Sequence, residues 1–94
     1  MATTTLSISS LFSQSDLDRA ARPVRAGQVV ARRLVGEFSR FAISLMATRF
    51  GEATVMVADA DVTDKVTGLP EVVWQGSPAE FDGGARRLHA RLTA

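Results

Sequence analysis

Residues 24–50, VRAGQVVARRLVGEFSRFAISLMATRF, are the longest helical candidate in the chain, and their reading decides the fold. Val30, Leu34, Phe38, Phe41 and Leu45 recur at spacings of four, four, three and four, which is the helical period. Val35, Ala42 and Met46 widen that stripe. The other side carries Arg32, Arg33, Glu37, Arg40, Ser44 and Arg49, with Glu37 placed for local ion pairs to Arg33 and Arg40. Pro23 suits a first helical turn, and Gly51 suits a C-terminal stop. Gly27 and Gly36 each weaken such a helix by about 1 kcal/mol relative to alanine. The spacing predicts one long amphipathic helix.

Outward from it, Thr4, Leu6 and Ile8 alternate with Thr3, Thr5, Ser7 and Ser9, so residues 3–9 read as a short strand. Residues 13–22 read as a short helix, with Ser13 as cap, Asp16 three positions later, and Pro23 closing it. Residues 53–63 and 69–75 read as a β-hairpin. Asp64 opens its turn and Gly68 takes the left-handed position. In the first of these strands Met56, Ala58, Ala60 and Val62 share one face. Val55, Val57, Asp59 and Asp61 share the other, which begins apolar and ends acidic. Pro70 marks the second strand as an edge strand or delays its start. Ser77-Pro78-Ala79-Glu80 supplies a cap, a proline at the first helical position and a capping glutamate for a helix over 78–92. Gly83-Gly84 interrupt that helix, and it can restart at Ala85.

The order β-α-α-β-β-α implies a single α+β domain over residues 1–94. It would be a two-layer sandwich, in which an antiparallel sheet of about three strands packs on one long amphipathic helix and a C-terminal helix. A mostly helical fold with a lone hairpin competes, but two strands alone are marginal in water. At 94 residues, 46% hydrophobic and 22% charged, the composition is that of a globular domain rather than a disordered tail or a multi-domain enzyme. Cysteine is absent, which excludes disulfides, thiolate metal sites and cysteine nucleophiles.

Net charge is +1, but its distribution is uneven. Residues 1–50 carry a net +4, residues 51–84 a net −6 and residues 85–94 a net +3. Such segregation either steers partners or pairs internally. Ten of the eleven basic residues are arginine, which with the many alanines and valines suggests a GC-rich bacterial or phage coding sequence. Met1–Thr5 lacks the basic and apolar regions of a secretory signal. Charges interrupt every apolar run before it reaches membrane-spanning length. The expected setting is cytoplasmic, in a bacterium or in the host of a phage, with no membrane partner.

Chemistry-bearing motifs are few. Asp59, Asp61 and Asp64 lack the glycine and glutamate that a calcium loop needs at its sixth and twelfth positions, and they read as a solvated strand end. His89 stands alone beside Arg86 and Arg87, as a surface residue rather than a general base. One histidine without cysteine builds no zinc site. No nucleophile elbow or phosphate-binding glycine loop is present. Trp74 reads as an edge-of-core residue, with an interface anchor as the alternative.

No cofactor or metal is implied, and the expected function is non-enzymatic. The chain would dock on a larger protein or ribonucleoprotein complex and modulate or inhibit it, for example as an inhibitor of host defence. The candidate partner-binding residues are Arg32, Arg33, Arg40, Arg86, Arg87 and Arg91 on helix faces, and Asp59, Asp61 and Asp64 on the hairpin. The alternatives are a structural subunit of a phage particle or other assembly, forming homo-oligomers, and a direct nucleic-acid binder whose arginines contact phosphates.

Overall fold

The computed structural model of the chain describes residues 6–25 and 27–93. Residues 24–50 form two antiparallel strands, not a helix: β1 over Gln28–Val35 and β2 over Phe41–Ala47. The reversal is set at Gly36, whose φ of 85° and ψ of 174° lie in a region essentially restricted to glycine. Phe38 and Ser39 follow in left-handed conformation, at φ 57° and 55°, within a tight 3-10 turn over Glu37–Ser39. The predicted apolar stripe is therefore dispersed. Phe41 and Leu45 are buried, Leu34 is exposed, and Phe38 projects into solvent with 95% of its surface accessible.

The chain continues as a meander through β3, Thr54–Thr63, and β4, Pro70–Gly76, in the order β1-β2-β3-β4. The hairpin between β3 and β4 forms as the sequence predicts. The Asp64 carboxylate accepts from the amides of Val66 and Thr67, and Gly68 takes φ 72°. The sheet thus has four strands rather than three. The strand predicted over 3–9 falls partly on residues 1–5, outside the described residues. Its described part is not a strand, because Ser7 caps a short helix, α1, Ile8–Leu11.

α2, Gln14–Ala20, begins at the Ser13 cap with Asp16 closing a capping box. α3, Pro78–Gly84, begins at the Ser77–Glu80 box, and α4, Arg86–Leu92, follows after a break at Ala85. No described helix is long and apolar enough to cross a membrane.

The helices pack on one face of the sheet. Ile8, Phe12 and Ala20 from the N-terminal helices and Phe81, Leu88 and Leu92 from the C-terminal ones meet Phe41, Ile43 and Leu45 of β2 and Val55 and Val57 of β3. The principal extents of 39 × 37 × 21 Å fit this arrangement, because the thin dimension accommodates one sheet and one layer of helices. Trp74 of β4 closes the edge of the core, edge-on to Phe81 with ring centroids 5.8 Å apart.

A Cβ at Gly36 would lie 3.2 Å from the Phe41 ring, in a backbone conformation that L-residues avoid. Gly36→Ala is expected to cost about 1–3 kcal/mol and to lower Tm accordingly in a circular-dichroism melt. Phe38→Ala, at an exposed position, is expected to change stability by less than about 0.5 kcal/mol.

Candidate functional site

The pleat sends neighbouring side chains to opposite faces, so the arginines do not share one surface. Arg33 lies on the helix-bearing face, where its guanidinium sits 5.5 Å from the Phe12 ring centroid and 3.4 Å from Asp16. Arg32 pairs in register with Ser44 and points to the opposite, helix-free face, where its Nε donates to the Ser44 hydroxyl at 3.2 Å. Arg40 stands just before β2 and turns into an ion cluster.

That cluster is built on Asp59. The carboxylate is fully buried at the acidic end of the core face of β3. Arg40 grips it with two donors, Nε to Oδ1 at 2.9 Å and Nη2 to Oδ2 at 3.0 Å. Arg91 of α4 donates to Oδ2 at 2.8 Å, and the Asp61 amide donates to Oδ1 at 2.9 Å. The Asp61 carboxylate meets Arg40 Nε at 3.1 Å. Both guanidiniums also lie near the Phe41 ring, at 4.9 and 6.0 Å from its centroid. The Arg40 hydrogen bonds hold the Asp59 carboxyl below its ordinary pKa, outweighing desolvation, with further help from the Asp61 amide and Arg91.

Asp59 is thus no solvated strand end. The basic first half, the acidic middle and the basic tail pair with one another here. Charge reversal at Arg40 or Arg91 would strike the fold. The same holds for Asp59 as a partner-binding residue, because its carboxylate has no exposed surface.

The remaining candidates are dispersed. Asp64 is engaged in the hairpin turn. Arg86 and Arg87 border a shallow hollow with Trp74 and the Gly83-Gly84 break. His89 is half-buried rather than a surface residue: its Nε2 lies 2.6 Å from the Phe81 carbonyl and its ring packs on Phe81, tying α4 to α3. No group of three or more His, Cys, Asp or Glu among the described residues is arranged to hold a metal ion.

The surface that sequence reading missed is the helix-free face. Its positions on the two central strands are Ala42, Ser44 and Met46 on β2, and Met56 and Ala58 on β3. Val29 of β1, Val72 of β4, and Leu69 and Pro70 beside it complete a hollow of about 370 Å³. Arg32 is the one charged residue among the described residues that line it. Leu69, Val29 and Val72 are 63%, 44% and 43% exposed. A one-sided antiparallel sheet ordinarily turns polar residues to water, and β2 here turns Ala42 and Met46 outward with Ser44 as its one polar residue on that side of the strand. The signal was present in the sequence as Met56, Ala58 and Ala60 on one side of β3, but the helical reading of β2 hid its partner strand.

Comparison with protein-family models, with curated proteins and with solved structures finds no match to this chain.

Asp59→Asn is expected to destabilise the fold by about 1–3 kcal/mol. Arg40→Met should cost more, because it strands a buried charge where the first change removes one. Folding lowers the Asp59 pKa, so its contribution is complete above the ordinary carboxylate range and is lost as pH falls through the lowered value. Urea midpoints should be flat from neutral pH to about pH 5 and fall below about pH 4, with a smaller fall in Asp59→Asn. The difference between the two profiles isolates Asp59 from Asp16, Asp64 and Glu80, whose pKa values are also lowered.

Proposed function

We propose that this chain is a non-enzymatic docking protein. It binds a larger protein through the helix-free face of its sheet and modulates that protein or its complex. The observation that carries this reading is an apolar sheet face, spanning all four strands, with one guanidinium among its described lining residues. Exposed apolar patches of this kind on a small domain are typical of interaction sites. The lone cation selects for a partner surface that is apolar and brings a carboxylate.

The pairing of three candidate arginines outside the hollow favours protein over nucleic acid as the partner. Arg33, Arg40 and Arg91 already face carboxylates, and a phosphate would have to compete with Asp16, Asp59 and Asp61 for them. Inhibition of a cytoplasmic assembly, in a bacterium or in the host of a phage, is the role that such a small docking module would serve.

A tagged chain and its Arg32→Glu, Val72→Asp and Arg87→Glu variants test the reading by pull-down from bacterial lysate, with and without nuclease, read by quantitative mass spectrometry. Proteins captured by the wild type are expected to fall by about tenfold or more with Arg32→Glu and Val72→Asp. They should persist with Arg87→Glu and after nuclease. Loss on nuclease treatment would transfer the reading to nucleic acid, and recovery of the chain alone would transfer it to self-assembly.

A further inference from the structure

We infer that the occupant of the helix-free face is an amphipathic helix of the partner protein, carrying an Asp or Glu within its apolar stripe. This inference rests on the docking reading above. The face is hollow rather than flat, because small side chains (Ala42, Ser44 and Ala58) occupy its middle and Met46, Met56 and Val72 stand around them. A second copy of the chain fits poorly. Face-to-face pairing would set two hollows of about 370 Å³ against each other. It would also enclose each Arg32 against an apolar surface, with no carboxylate among the described lining residues of the other copy to meet it.

A convex apolar rod fits better. Four strands at about 4.8 Å spacing span about 14 Å between the outer two, and a helix with its side chains is about 10 Å across. Met46 and Met56 are unbranched and adapt to the ridges of such a helix. Arg32 reaches in from β1, and among the described residues its side chain hydrogen-bonds only the neutral Ser44 hydroxyl, so a carboxylate on the helix would be its ionic partner. Recognition would be of the helix-in-groove kind, with the apolar anchors supplying affinity and the ion pair fixing register.

The test uses two labelled peptides of about 18 residues, long enough to hold a helix. Both have leucine at helical spacing and glutamine on the polar face. One carries a single Glu in the stripe and the other a Lys at the same position. Fluorescence anisotropy is measured with the wild type, Arg32→Glu and Arg32→Gln, after thermal melts show that all three fold.

The wild type is expected to prefer the Glu peptide by about tenfold. Arg32→Glu should reverse the preference and Arg32→Gln abolish it. No binding of either peptide, or binding indifferent to charge, overturns the helix inference. If lysate capture still responds to Val72→Asp in that case, the docking reading stands alone; if it does not, both fall. A concentration-dependent dimer by light scattering, abolished by Val72→Asp, assigns the face to a second copy and overturns both.

Discussion

The Asp59 carboxylate carries its charge without contact with water because two guanidinium groups and a backbone amide surround it. A buried carboxylate is costly unless each oxygen is satisfied, and each here accepts two hydrogen bonds. The donors come from separate parts of the chain. Arg40 closes the turn between β1 and β2, Asp61 belongs to β3, and Arg91 lies near the end of α4. One ion cluster therefore ties the turn after Gly36 and the C-terminal helix to the centre of the sheet. It also consumes charges that a surface reading would assign to partners.

With the helices on one side and the ion cluster closing that side's end, no described helix covers the other face of the sheet. Its apolar character belongs mainly to β2 and β3, which turn Ala42, Met46, Met56 and Ala58 to the open side while Ile43, Leu45, Val55 and Val57 fill the core side, with Ser44 and Asp59 as the polar interruptions. A strand of this kind ordinarily runs between two layers, as parallel strands do under helices on both faces. Here only one layer comes from the described chain. Arg32 and Arg33 show the same geometry in miniature, since adjacent residues of one strand send like charges to opposite sides, one beside Asp16 and one into an apolar hollow.

The parts of the fold legible in the sequence are those set by local chemistry. The Ser13–Asp16 and Ser77–Glu80 capping boxes form because each pair needs only a single turn of chain to meet. The Asp64–Gly68 turn forms because the carboxylate bonds to amides two and three residues on, and because glycine tolerates φ 72°. The parity of β3 is also legible, with Val55, Val57 and Asp59 on one side and Met56 and Ala58 on the other. Residues 24–50 were not legible, because a strand apolar on both faces loses the alternation that marks strands. The bulge between Val29 and Ala31 breaks the period again on β1. What remained happened to match a helical period, although it counted exposed Phe38 among its members.

The sequence by itself determined the mixed α+β class, the caps, the β3–β4 hairpin and the segregation of charge, since each depends on residues close in the chain or on composition. The tertiary structure alone decided that residues 24–50 are two strands. It also decided that Asp59 is an internal counter-ion and that Arg32 stands apart from Arg33 on an open apolar face. The reason is pairing between distant segments. β2 becomes a strand because β1 and β3 supply its hydrogen-bond partners on both edges, and which of its two apolar sides becomes the core depends on where the helices land. No local pattern records that choice.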